Sequence, residues 1–146
     1  MRTLLALAVP VLLVAAEPVA DAVKKDMTAL EGDWTMVSGE REGEAFPDDL
    51  VKSGKREVKD GVSTATFGEA FTIKSKFAVD PAKKPKAIDF EVTDGDQKGT
   101  KLHGVYELDG DTLKLCLTTA DSDRPTDFTT KAGDGRTLTV WKRAKK

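Results

Sequence analysis

From Lys55 onward, apolar residues fall mostly at every second position, the period of a strand with one buried face. Phe71, Ile73, Phe77 and Val79 share one such face, and Ile88, Phe90 and Val92 share another. Leu102, Tyr106 and Leu108 line one face before Asp109-Gly110-Asp111, and Leu113, Leu115 and Leu117 line one face after it. Asp-Gly occurs at 60–61, 94–95, 109–110 and 134–135, each time between runs of this kind. That dipeptide favours tight hairpins, because glycine accepts the positive φ that a twist-matched turn requires. The pattern predicts strands at Trp34–Glu40, Lys55–Lys59, Val62–Phe67, Ala70–Val79 and Lys86–Thr93. It adds the two arms of the Asp109-Gly110 hairpin, a short strand around Thr126–Thr130 and a last strand at Arg136–Lys142. Asp26–Leu30 reads as a short helical turn. Phe46–Gly54 reads as another, with proline near its start, Asp48 and Asp49 in its first turn and Gly54 at its end. It is placed to act as a lid over one end of a barrel.

Eight or nine short strands in sequential order predict an up-and-down antiparallel meander. Closing it removes both unpaired edges. The fold class is therefore all-β, a single barrel of about eight strands with a short helical segment after the first. An interior of that size is either filled by side chains or holds one small ligand.

The first residues carry a different pattern. Met1-Arg2 is followed by an apolar run to Ala15, and then by small-residue cleavage sites ending at Ala16 and Ala22. This is the layout of a secretory signal peptide over residues 1–22, with the barrel domain at 23–146. The run is shorter than the roughly 20 residues needed to span a bilayer. The expectation is an exported protein, periplasmic or extracellular, with no membrane span once the signal is removed. Without the signal the chain keeps 22 basic residues against 25 or 23 acidic ones, according to the site. That balance gives no reason to expect nucleic acid as a partner.

Candidate chemistry is sparse. Cys116 is the only cysteine, so the domain has no internal disulfide. It is out of phase with its leucine neighbours, which predicts a half-exposed thiol of no special chemistry. His103, the only histidine, is out of phase in its own strand and is expected on the outer surface. One histidine and one cysteine fall short of a metal site, and no nucleophile motif surrounds either. Asp94/Asp96, Asp109/Asp111 and Asp121/Asp123 form pairs, but each lies in a predicted turn, where aspartate is favoured for backbone reasons. No catalytic residue, cofactor or metal is expected, and the chain reads as a non-enzyme.

Leu30-Glu31-Gly32-Asp33-Trp34 places Gly-x-Trp before the first strand, and Arg143 follows the last. This pair resembles the lipocalin-like (calycin) barrels, and the resemblance implies that Gly32, Trp34 and Arg143 plug the barrel's closed end, with the cation over the indole. The chain also resembles a functionally uncharacterised planctomycete family of small exported domains of this kind. The matching pieces are Leu30–Ser38, Asp80–Asp89, Tyr106–Cys116, Arg124-Pro125-Thr126 and Thr137–Arg143. Trp141 departs from that pattern, where an aliphatic residue is usual. The family supplies no catalytic residue, cofactor or substrate.

Phe71, Phe77, Phe90 and Tyr106 occupy apolar phases of their strands and are candidate pocket-lining residues, with the tyrosine hydroxyl available to orient a ligand. Strands this short favour a filled interior, with a pocket as the alternative. Two functions stay open: holding a small apolar or amphipathic molecule, or serving as a filled-barrel interaction module for an unidentified envelope protein.

Overall fold

The computed structural model describes residues 17–144. The greater part of the expected signal segment, residues 1–16, lies outside the described residues. The alternative cleavage site after Ala22 falls within the first helix.

Helix α1 spans Glu17–Leu30, longer than the turn expected at 26–30. Val23, Met27 and Leu30 recur at helical spacing and pack on the core. The helix ends at Leu30 and the chain turns into the first strand at Gly32, whose φ of +122° suits glycine and few other residues. A β-carbon there would meet the Arg143 guanidinium at 3.1 Å.

The wall is β1 (Gly32–Arg41), β3 (Gly54–Lys59), β4 (Val62–Phe67), β5 (Phe71–Asp80), β6 (Lys86–Val92), β7 (Lys101–Asp109), β8 (Thr112–Thr119) and β9 (Thr137–Arg143). Each is antiparallel to the next, and β1 pairs with β9, so the eight strands close. The two-residue strand β2 (Glu44–Ala45) folds back on the end of β1, and helix α2 (Asp48–Ser53) follows it. This is the expected closed up-and-down barrel of lipocalin-like form, with a short helix after the first strand.

A bulge in β1 between Met36 and Ser38 resets the inward phase. Trp34 and Met36 point inward before it, Gly39 after it, and Val37 is left outside. Gly39 is buried because the Phe46 ring lies on it; a β-carbon there would overlap that ring. The missing side chain thus seats Phe46 in one mouth of the barrel.

The expected strand around Thr126–Thr130 does not form. β8 and β9 pair directly from Thr112↔Lys142 to Leu117↔Thr137, which leaves no ladder for it to join. The loop that carries it instead lies across the outside of β6–β8, where Arg124 donates to the Ile88 and Gly104 carbonyls and the Cys116 thiol to that of Thr129. Beneath it the outward row Ala87, Val105 and Cys116 is buried, together with Pro125. Cys116 does point out of the barrel, but it is covered completely rather than half-exposed. Burial pushes its thiol up to about 11, which disfavours the reactive thiolate.

Candidate binding cavity at the open end

The two ends of the barrel differ. At the closed end, Trp34 is buried under the Arg143 guanidinium, 4.3 Å from the ring. The indole N–H donates to the Leu30 carbonyl at 2.9 Å. Arg143 donates to the carbonyls of Ala29 and Glu31 at 2.7 and 2.8 Å, satisfying oxygens that the end of α1 leaves without helical partners. Gly32, Trp34 and Arg143 are therefore brought together where α1 meets the barrel. Beside them Asp26, only 7 % exposed, accepts from the Tyr106 hydroxyl at 2.7 Å and from Lys86 at 2.9 Å. Burial acts to raise the Asp26 pKa, but these two hydrogen bonds and the charge of Lys86 hold it below its ordinary value. Burial and the neighbouring carboxylate push the Tyr106 pKa up, so its hydroxyl stays a donor.

The opposite end is hollow. A cavity of about 420 Å3 opens under Phe46 and the α2 residue Leu50. Phe67 and Phe71, cross-strand partners on β4 and β5, stack at 4.7 Å on one side. Phe90, Leu102 and Leu117 form the other side, and Trp141 lies at the floor. Phe71 and Ile73 reach the rim, where they are 46 % and 38 % exposed. Two buried serines, Ser63 and Ser75, face each other across β4 and β5. Thr139 also lines the cavity, and its hydroxyl accepts the Trp141 indole N–H at 2.8 Å.

One charged group sits at the floor. Arg56 alternates inward with Gly54 and Val58 on β3, and its guanidinium lies 4.5 Å from the Trp141 ring and 5.9 Å from that of Phe90. It donates to the Ser63 hydroxyl, while its Nε is sealed from solvent without an acceptor. None of the ion pairs among the described residues includes Arg56. Burial lowers its pKa to about 10, so it remains a cation at neutral pH.

Of the four aromatic residues proposed from alternation, Phe71 and Phe90 line the cavity. Phe77 does not: it stands directly opposite Phe90 and borders a shallower groove between β5, β6 and β7. Tyr106 does not either, since it lies at the closed end and its hydroxyl is taken by Asp26. Alternation assigns a face but not a height along the barrel, and Tyr106 sits at the wrong height; Phe77 shares the rung of Phe90 but borders the neighbouring groove. His103 points outward, and its Nε2 donates to the Ser122 carbonyl at 2.6 Å. Asp94, Asp96, Asp121 and Asp123 are exposed in loops, and Asp111 pairs with Arg143 at 3.3 Å.

Searches of family models, curated proteins and solved structures find no match to this chain.

Arg56 was missed by sequence reasoning, although a signal was present. It shares the phase of Val58 in a run where charges occupy both faces. A cation on the inward phase of a barrel strand is worth singling out, because buried charges are rare.

Proposed function

We propose that this protein is an exported, non-enzymatic barrel that holds one small apolar or amphipathic molecule in its open end. The observation that carries this reading is the cavity of about 420 Å3 above an otherwise filled core. Its volume is within the roughly 300–1,000 Å3 of small-molecule sites, and its walls are mainly apolar with a few convergent polar groups. Among the described residues its lining brings in no histidine, cysteine or carboxylate, so a nucleophile would find no base there. The filled-barrel interaction module has less support, because the mouth is hollow.

The test is titration of the purified protein with the neutral fluorophore N-phenyl-1-naphthylamine. A saturable rise in its emission at one site per chain is expected. Leu117→Trp, which adds bulk at a half-buried lining position, should weaken it at least several-fold while circular dichroism is unchanged. No saturable signal, or a signal indifferent to this substitution, would remove the cavity as the site.

A further inference from the structure

We propose that the molecule held in the open end carries a carboxylate, and that Arg56 receives it. This rests on the binding reading above and specifies its chemical class. A guanidinium has five N–H donors and no acceptor. The fold gives that of Arg56 one hydroxyl, Ser63, and leaves its Nε buried with no acceptor. Arg56 is half-buried, and drawing a cation out of water is costly unless a partner is supplied; among the described residues the cavity lining contains no carboxylate to supply one.

The orientation fits a ligand from above. The guanidinium carbon lies 4.5 Å from the Trp141 ring and Nη1 donates to the Ser63 hydroxyl, which leaves the other terminal N–H groups for a carboxylate, with which a guanidinium forms short, charge-assisted hydrogen bonds. The charge balance favours a monoanion. Among the described residues Arg56 is the only cation at the floor; Arg41 lines the mouth as an exposed residue and lies 3.9 Å from Glu42. A dianionic phosphate would bring an uncompensated negative charge into apolar surroundings, whereas a carboxylate and Arg56 neutralise each other. The buried hydroxyls of Ser63 and Ser75 flank the floor, and everything between there and the exposed Phe71 and Ile73 is mainly apolar. The ligand therefore sits head inward, with its apolar body toward the rim.

The experiment compares decanoate, decan-1-ol and decyl phosphate at neutral pH by displacement of the neutral fluorophore and by calorimetry. Decanoate should bind at least about tenfold more tightly than decan-1-ol, as expected for a charge-assisted pair in a poorly hydrated site. Decyl phosphate should gain no advantage over decanoate. Arg56→Met should bring decanoate down to the level of decan-1-ol and leave decan-1-ol unchanged. Equal binding of decanoate and decan-1-ol by the unsubstituted protein would overturn the carboxylate assignment and leave the cavity reading intact. Tighter binding of decyl phosphate would overturn the monoanion. Failure of all three probes and of the fluorophore would overturn both proposals. The comparison of probes on the unsubstituted protein decides the matter even where Arg56→Met does not fold.

Discussion

Two arginines in this barrel lie against tryptophan rings, and they differ in what accepts their N–H groups. Arg143 at Trp34 donates to the carbonyls of Ala29 and Glu31 and pairs with Asp111. Arg56 at Trp141 has one hydroxyl. The first arrangement is complete in itself; the second leaves most of its donors without a protein partner among the described residues, which is where we propose the ligand carboxylate binds. Asp26 gives the residue-scale prediction. Its folded pKa lies below the ordinary 3.8, so the stability it contributes is fully present above that value and is lost as pH falls through the lower, folded value. Asp26→Asn should cost about 1–3 kcal/mol at neutral pH, since it weakens the bond to the buried Tyr106 hydroxyl. The lysine adds less, because its side chain is 41 % exposed and screened. Urea unfolding of the two proteins should show the difference shrinking below about pH 4. A gap that stays constant down to pH 2 would show that the carboxylate charge at Asp26 is not what stabilises.

At the scale of elements, the barrel contacts of α1 among its described side chains come from its last two turns. Val23, Asp26, Met27 and Leu30 all lie at or after residue 23. A chain beginning at Val23 should therefore be as stable as one beginning at Glu17, within about 0.5 kcal/mol. A chain beginning at Glu31 gives up Leu30, Met27 and Val23 burial and should lose about 4 kcal/mol or more, read from denaturant midpoints. Equal stability of the two shorter chains would show that α1 is not part of the closed end. Most elements were legible, because strand period and Asp-Gly turns act between near neighbours. Two misreadings have one cause. The Thr126–Thr130 segment has the residues of a strand but no free ladder, and Cys116 has the phase of a surface residue but lies beneath that segment.

For the whole molecule, the division between a filled lower half and a hollow mouth has an energetic consequence. Arg56 sits where an apolar residue would pack well, and replacing buried charge with apolar volume is often neutral or stabilising. Its position over Trp141 returns about 1–2 kcal/mol of that cost. Unliganded Arg56→Met should thus unfold within about 1 kcal/mol of the parent, or later, even as carboxylate binding is lost. A loss of several kcal/mol, measured by denaturant unfolding without ligand, would make Arg56 a structural member of the core instead.

Alternation and turn dipeptides are enough to determine a chain mostly of sequential strands and the face most side chains take, while the closed-end residues followed only from the resemblance to lipocalin-like barrels. Alternation and turns act over a few residues, where steric preference and burial leave a readable period. The tertiary structure decided the rest. The β1–β9 pairing sets the closure, strand register puts Phe71 and Phe90 at the mouth but Tyr106 at the closed end, and one irregular segment covers Cys116. The same register left Arg56 under a cavity without a counter-charge. Each of these depends on groups far apart in the chain meeting in space, and no local pattern encodes height along a barrel or what lies across its wall.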